Sequence, residues 1–281
     1  MASDHFKKAL ELARNHNLRK PNSRSRKVTH AFEHYKNLEP QSTNDFKNLH
    51  YTKTRIQSVS PEYLRENRVI AGFPDEPNSN QFRILRTQVM QELNENDWNS
   101  VAITAAHPNA GKSLVAANLA VSLSLMTNIT VLLVDLDLRK PSVHQYFGLN
   151  IKQGLYEHLT KGVPLDNILI NPGLDRLVIL PGSKPTSGSS ELLASKETLM
   201  MLDEIRNRYQ SRIILYDLPP LVGFDDAMVV LPKIDTAFLV VEANKTTEAE
   251  LQQSMQVLDD HPFMGYVFNK ADQLDLIHYG Y

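Results

Sequence analysis

Short apolar runs alternate with segments of helical spacing along most of this chain. Six runs predict β-strands, at Val101–Ala105, Thr130–Val134, Leu177–Leu180, Ile213–Tyr216, Thr236–Val241 and Tyr266–Phe268. Apolar residues three or four positions apart predict helices at Lys112–Met126, Lys196–Tyr209, Asp225–Leu231 and Thr247–Leu258, after a first helix with Phe82, Leu85, Val89 and Leu93 on one face. This alternation predicts an α/β fold, a mainly parallel sheet with helices on both faces.

The first 78 residues have a different character. Apolar residues near helical spacing predict a short amphipathic helix between Met1 and Arg19, and the polar, proline-containing segment from Lys20 to Pro77 predicts a linker. Residues 1–60 carry seven Lys and five Arg against five acidic residues, so this segment is strongly basic within a chain of net charge −2. It is expected either to bind an anionic membrane face or an acidic partner, or to be a solvated tail.

The predicted domain organisation has three parts. Residues 1–78 form the basic helix and flexible linker, residues 79–272 form the α/β domain, and residues 273–281 form a short tail. The 281 residues include no cysteine, which excludes disulfides and cysteine-based metal sites. Because no stretch has the roughly 18 consecutive apolar residues of a membrane span, and the N-terminus lacks a signal-like apolar core, a cytoplasmic location is predicted.

A phosphate-binding loop follows the first strand of the predicted domain. It reads Ala106-His107-Pro108-Asn109-Ala110-Gly111-Lys112-Ser113, which matches Gly-x-x-x-x-Gly-Lys-Ser/Thr except at the first glycine. Backbone N–H groups of such a loop, together with the positive end of the next helix, bind phosphate. All eight residues are therefore predicted to hold Mg-ATP, with Lys112 at the β- and γ-phosphates and Ser113 at Mg²⁺. The alternative is a Gly-Lys-Ser that only begins a helix.

Two other predicted strands end in carboxylates. One continues into Asp135-Leu136-Asp137-Leu138-Arg139, the other into Asp217-Leu218-Pro219-Pro220. Ligands of open α/β sheets bind at the carboxyl ends of the strands, and Asp217 is expected to position Mg²⁺ through water. Each acid alone is more simply a helix cap or a turn. Together with the phosphate loop, however, they predict a phosphoryl-transfer site.

The order of these motifs resembles the bacterial tyrosine kinases of polysaccharide export. The resemblance covers roughly residues 80–270 and includes Pro185–Leu193, which is similar to a Ser-Glu-Leu-Leu segment of that family. The segments Phe6–Leu18 and Val241–Thr247 look most like the exosortase-associated tyrosine autokinases. The resemblance implies a P-loop NTPase fold with a deviant Walker A loop, the MinD/ParA-like type.

The resemblance also implies an activity and roles for the motif residues. The chain would be an ATP- and Mg²⁺-dependent protein tyrosine autokinase that regulates exopolysaccharide or capsule biosynthesis. Lys112, Asp135, Asp137 and Arg139 would be catalytic, and Ser113, Asp135 and Asp217 would organise the metal. One carboxylate of the Asp135/Asp137 pair would accept the proton of a tyrosine hydroxyl, and Arg139 would orient these groups or bind phosphate.

The expected phosphoacceptors and partners follow from the same resemblance. Tyr279 and Tyr281, at the end of the chain, are the implied acceptors, unless they belong to an ordinary frayed terminus. The implied activator is a membrane-anchored polysaccharide co-polymerase, or chain-length determinant, which would recruit the kinase to the inner face of the cell membrane. Other copies of the chain are possible partners, and nucleic acid is not expected.

One departure from the family concerns assembly. The helix that forms the family's ring begins Glu-x-x-Arg-x-x-Arg, whereas this chain has Asn80, Arg83 and Arg86 at these positions. An inter-subunit Glu–Arg pair would be lost, so the ring is in doubt.

Three alternatives remain at this stage. A MinD/ParA-like ATPase would carry a lysine where this chain has His107. A GTPase would use Asn269-Lys270-Ala271-Asp272 to read guanine, although only nine residues follow this segment; Asn269 is predicted to contact the base in either case. The third alternative is a non-catalytic, nucleotide-gated regulator of polysaccharide export.

Overall fold

The computed structural model describes residues 54–207 and 212–271. The predicted N-terminal helix, Asp272, Tyr279 and Tyr281 lie outside the described residues. The strands are β1 (Arg55–Ile56), β2 (Ser100–Ala105), β3 (Thr130–Asp135), β4 (Ile170–Asn171), β5 (Leu177–Leu180), β6 (Arg212–Asp217), β7 (Thr236–Glu242) and β8 (Phe263–Asn269).

The helices lie between these strands along the chain. They are α1 (Pro61–Glu66), α2 (Ser79–Asn96), α3 (Lys112–Ser124), α4 (Val143–Tyr146), α5 (Leu155–Lys161), α6 (Leu165–Ile168), α7 (Ser189–Leu193), α8 (Lys196–Asn207), α9 (Asp226–Val230) and α10 (Glu248–Val257), with a 3₁₀ turn at Leu231–Lys233. None of the helices in the described part of the chain has the length and apolar character needed to cross a membrane.

The described strands form one sheet in the order β1-β4-β5-β3-β6-β2-β7-β8. All neighbouring pairs are parallel except β4 and β5. The residues of β2, β5 and β7 are buried along the whole strand, so both faces of the central sheet are covered. The predicted α/β fold with a mainly parallel sheet is confirmed, and the strands and helices predicted for the described residues are present within a few residues.

Helix α3, which follows the phosphate loop, is buried on nearly all sides. It is rich in alanine, valine and leucine without a polar face, which is typical of a helix enclosed by other elements. It packs against α2 on one side and against β2 and β3 on the other. The phosphate loop is therefore mounted on one of the most enclosed helices of the fold, which restricts movement of Lys112 and Ser113 at its first turn.

The prediction that a flexible linker extends to residue 78 is wrong for residues 54–78. Strand β1 pairs with β4 in the sheet, and Leu64, Val69 and Ala71 belong to the hydrophobic core. The sequence pattern did not reveal this segment because β1 has two residues and α1 has six, too few for a recognisable period. The folded unit therefore begins before residue 79.

Asn118 attaches this segment to α3. Its Oδ1 accepts hydrogen bonds from the backbone N–H groups of Ile70 (2.8 Å) and Ala71 (3.0 Å). Its Nδ2 donates to the carbonyls of Arg68 (2.9 Å) and Leu114 (3.0 Å). The side chain is buried, so all its hydrogen-bonding capacity is used within the fold.

We expect Asn118→Leu to lower the free energy of unfolding by about 2–4 kcal/mol, because a buried N–H donor of Ala71 and a part-buried one of Ile70 lose their acceptor. Urea denaturation of the full chain measures this change. The matched control is Asn96→Leu, since Asn96 is exposed and its side chain, within the described part of the chain, bonds to the Glu92 carbonyl of its own helix; a change within about 0.5 kcal/mol is expected there. Equal stability of the two variants would contradict the assigned role of Asn118.

Candidate functional site

The phosphate loop connects the end of β2 to the start of α3. Gly111, before the first helical residue, has φ +99°, a conformation that side chains rarely adopt. A Cβ atom there would lie 2.0 Å from Nδ2 of Asn269. Glycine is therefore required for two reasons at this position. Ala106, which replaces the first glycine of the motif, is not among the described residues with positive φ, so alanine is tolerated there.

The sheet order brings the three predicted motifs together. Strands β3, β6 and β2 are neighbours, and Asp135 and Asp217 face each other in register at their ends. Lys112 reaches this point from α3. Its Nζ lies 2.6 Å from Oδ2 of Asp137 and 3.3 Å from Oδ1 of Asp217. Its ammonium group is thus bound by two carboxylates, one two residues after β3 and one at the end of β6.

The environment of Lys112 fixes its charge. Burial by itself lowers the pKa of Lys112, but the nearby carboxylates of Asp217 and Asp137 outweigh this effect and raise the pKa above its usual value. Lys112 is therefore protonated at physiological pH. This agrees with its predicted role as a fixed positive charge for phosphate groups.

For Asp135 and Asp217, in contrast to Lys112, the surroundings disfavour the charged form. Burial and the charge of Asp217 raise the pKa of Asp135 well above its usual value, and burial likewise raises the pKa of Asp217. Oδ2 of Asp135 accepts hydrogen bonds from the backbone N–H groups of Ser142 (2.9 Å) and Val143 (3.0 Å). Oδ1 of Asp135 and Oδ2 of Asp217 are buried without a hydrogen-bond partner among the described residues.

These two oxygens fit a divalent cation. Three carboxylates lie close to a single lysine, so the cluster has an excess of negative charge, and Mg²⁺ prefers oxygen ligands. No group of three or more metal-ligating side chains forms a complete cage within the described ranges. This is compatible with Mg²⁺, which is usually held by one or two carboxylates while water and phosphate supply its other ligands.

Ser142 is a site residue that sequence reasoning missed. Its Oγ donates a hydrogen bond to Oγ of Ser113 (3.1 Å), and its backbone N–H binds Asp135. Ser142 directly precedes α4, a helix of four residues that is too short to produce a periodic pattern. A serine directly before the apolar residue Val143 is a signal of a helix start that could have identified it.

Arg139 does not join the carboxylates of the site. Its Nε lies 2.7 Å from Oδ2 of Asp226, a fully buried residue at the start of α9. Its guanidinium group lies 4.7 Å from the ring centre of Phe224. Asp226 also accepts a hydrogen bond from Ser189 in α7. Arg139 thus links the Asp-x-Asp-x-Arg motif to α7 and α9, and its catalytic role stays a prediction.

The predicted base-reading residue lies against the phosphate loop. Nδ2 of Asn269 donates to the carbonyl of Ala110 at 2.8 Å. This contact fixes the end of β8 to the loop, and a contact with the base stays a prediction.

In the helix predicted to form the ring, Arg86 donates to the carbonyl of Ser122 in its own chain (2.9 Å), while Asn80 and Arg83 are exposed.

Comparisons with known proteins identify the family. The tyrosine-protein kinase YwqD of Bacillus subtilis is 30% identical to this chain over 220 residues, which cover 78% of this chain and 92% of YwqD. This chain belongs to the bacterial tyrosine-protein kinase family. A scan against protein-family models found no match.

Two further kinases support this placement in the bacterial tyrosine-kinase family. The kinase domain of Escherichia coli tyrosine kinase ETK superposes with a TM-score of 0.66 at 25% identity, covering 81% of this chain and 88% of that domain. This likeness confirms the predicted P-loop NTPase fold. EpsB of Ralstonia nicotianae is 32% identical over 225 residues, which are 78% of this chain and 28% of EpsB. The chain therefore spans about a quarter of the length of EpsB.

Proposed function

We propose that this chain is a Mg-ATP-dependent protein tyrosine autokinase that regulates exopolysaccharide or capsule production. The observation that carries the proposal is the buried cluster at the ends of β2, β3 and β6. Lys112 is bound there by Asp137 and Asp217, next to buried carboxylate oxygens without a partner among the described residues. Family membership supports the reaction type, and the phosphate loop supports ATP as the phosphoryl donor.

Each residue of the cluster is assigned a role that follows from its contacts and burial. Lys112 and the loop N–H groups bind phosphate groups and balance their charge. The unpartnered oxygens of Asp135 and Asp217, with the hydroxyl of Ser113, hold Mg²⁺, which supplies further charge neutralisation when bound. Asp137 accepts the proton of the tyrosine hydroxyl. It is paired with Lys112 through one oxygen and, unlike Asp135 and Asp217, has no buried oxygen without a partner for the metal among the described residues, which leaves it for proton transfer.

The acceptors in this proposal are Tyr279 and Tyr281. After incubation of the purified chain with Mg-ATP, mass spectrometry is expected to find phosphate on these tyrosines. The Tyr279→Phe/Tyr281→Phe double variant is expected to lose most of the signal, because phenylalanine lacks the hydroxyl acceptor. Tyr156→Phe, which changes a tyrosine that lies under Lys184 in the described fold, serves as the control.

The outcomes of this experiment separate the alternatives. Phosphotyrosine outside the tail would move the acceptor and leave the kinase assignment intact. Nucleotide binding without any phosphotyrosine would contradict the kinase and favour a nucleotide-gated regulator. A parallel incubation with Mg-GTP tests the Asn-Lys-x-Asp segment, and efficient phosphorylation from GTP alone would contradict ATP as the donor.

The cellular setting is part of the proposal. The partner is a membrane-anchored polysaccharide co-polymerase, which activates the chain and recruits it from the cytoplasm to the inner face of the membrane. The basic N-terminal segment supports this arrangement, since its positive charge suits an anionic lipid surface. Other copies of the chain are the second class of partner.

A further inference from the structure

The tip of the phosphate loop is held by two lysines outside the loop. Asn109 has φ +65°, so the chain turns sharply there. Nζ of Lys140 donates to Oδ1 of Asn109 at 3.0 Å, and Nζ of Lys270 donates to the backbone carbonyl of the same residue at 2.8 Å. These contacts place two ammonium groups beside a loop whose backbone can bind phosphate groups.

The two lysines differ in how their charge is balanced. Lys270 also lies 3.1 Å from Oε1 of Glu242, a carboxylate that is shared with Lys245. Lys140 has no carboxylate within ion-pair distance among the described residues, and its ammonium contacts only the neutral amide oxygen of Asn109. Lys140 therefore presents an uncompensated positive charge at the loop, whereas the charge of Lys270 is already partly neutralised.

Lys140 is also connected to the centre of the site. Its backbone N–H donates to Oδ1 of Asp137 at 3.0 Å, and the other oxygen of Asp137 binds Lys112. The residue is thus anchored at its base beside the lysine assigned to the β- and γ-phosphates, while its flexible side chain extends towards the loop tip. An ammonium group on a four-carbon stem can exchange acceptors without movement of the backbone.

His107, within the loop, is held by other groups of this chain. Its Nε2 lies 3.0 Å from Oγ1 of Thr246, and its Nδ1 lies 3.0 Å from the carbonyl of Pro108. Both ring nitrogens are therefore engaged by neutral groups of this chain. The side chain of His107 is directed at the segment before α10, whereas the ammonium group of Lys140 is directed at the loop tip.

We propose that Lys140 recognises the terminal phosphate of ATP and thereby distinguishes ATP from ADP. The inference rests on nucleotide binding at the loop, as in the proposed function, but not on tyrosine phosphorylation. Lys140 exchanges the amide oxygen of Asn109 for an anionic phosphate oxygen, since hydrogen bonds between charged groups are roughly twice as strong as neutral ones. Lys270 is a positioning residue: it holds the loop carbonyl and affects all nucleotides alike.

Binding of Mg-AMP-PNP and Mg-ADP to the full chain, measured by isothermal titration calorimetry, tests the proposal. Lys140→Met is expected to reduce the preference for AMP-PNP over ADP about tenfold, equivalent to about 1.4 kcal/mol, with ADP affinity nearly unchanged. Lys140→Arg is expected to retain part of the preference. Lys270→Met is expected to weaken both nucleotides equally, and the control Lys245→Met neither, because Lys245 makes no described contact with the loop.

Asn109→Gly separates direct recognition from an effect through the loop. Glycine adopts the φ of +65° readily but lacks the amide that Lys140 contacts. The preference for AMP-PNP is expected to persist in this variant, because Lys140 is still present. An unchanged preference in Lys140→Met, an equal loss in Asn109→Gly, or a wild-type chain without a preference would overturn the proposal. Binding of neither nucleotide would overturn the loop assignment itself, whereas absent phosphotyrosine would not affect this test.

Discussion

Lys112→Met is expected to reduce autophosphorylation at least about 100-fold, the usual effect of removing one charge-stabilising donor from an active site. Lys112 is the only described lysine in direct contact with both Asp137 and Asp217. Its loss removes the positive charge that balances phosphate groups during transfer. Phosphotyrosine formed per minute from Mg-ATP is the measurement. The control is Lys245→Met, since Lys245 is an exposed lysine that pairs with Glu242 and not with Asp137 or Asp217.

The same substitution also affects folding. Methionine leaves the buried carboxylates without their cation, and breaking a buried ion pair from one side usually costs about 3–5 kcal/mol. A second variant, Lys112→Arg, therefore accompanies it. Arginine retains the positive charge, so the fold is expected to survive, but its planar guanidinium cannot replace the compact ammonium and activity is expected to remain low. Wild-type autophosphorylation in either variant would contradict the proposed site.

Asp135→Asn is expected to change activity and stability in opposite directions. Activity falls at least about 100-fold because the variant loses a charged metal ligand. The nucleotide-free chain, however, gains about 1–2 kcal/mol of stability, since the variant neither buries a charge nor takes up a proton at this position when it folds. Asparagine can still accept the backbone hydrogen bonds of Ser142 and Val143 through its amide oxygen. The measurements are phosphotyrosine formation and urea denaturation in the presence of EDTA.

The pH dependence provides an independent check on Asp135. Burial and Asp217 raise the pKa of Asp135 well above its usual value in the folded chain. The folded state therefore keeps a proton that the unfolded state releases near pH 4. The free energy of unfolding thus decreases as the pH rises from about 4 towards the pKa of Asp135 in the folded state. Asp135→Asn is expected to make this decrease shallower. A variant that is less stable than the wild type at pH 7 would refute the idea of a buried charge awaiting a cation.

The sequence predicts the centre of this fold well and its margins poorly. Strands β2, β3, β6 and β7 are recognisable because buried parallel strands consist of nearly continuous apolar residues. Strand β1 and helix α4 are not, because two and four residues are too few for a period to repeat along the segment. The N-terminal part of the fold depends on partners distant in sequence, because β1 pairs with β4 and residues 68–71 bond to the side chain of Asn118.

The functional site was likewise only partly predictable from the sequence. The identities of Lys112, Asp135, Asp137 and Asp217 follow from motifs, because the chemistry of phosphate and metal binding restricts the residue types at fixed positions after a strand. The contacts of Arg139 do not: the motif suggests a role beside the carboxylates, but the side chain binds Asp226, 87 residues later in the chain. Only packing between α7, α9 and the motif loop could select this partner.

The sequence by itself determined that the chain has a phosphate loop, two acidic strand ends and an α/β sheet to carry them. The reason is physical: these features depend on local backbone conformation and on residue chemistry, both of which are written in short segments. Only the tertiary structure decided which groups meet. It placed β3, β6 and β2 side by side, left Asp135 and Asp217 with unpartnered oxygens, and set Lys140 against Asn109. Those contacts join segments far apart in the chain, where periodicity and motif spacing carry no information.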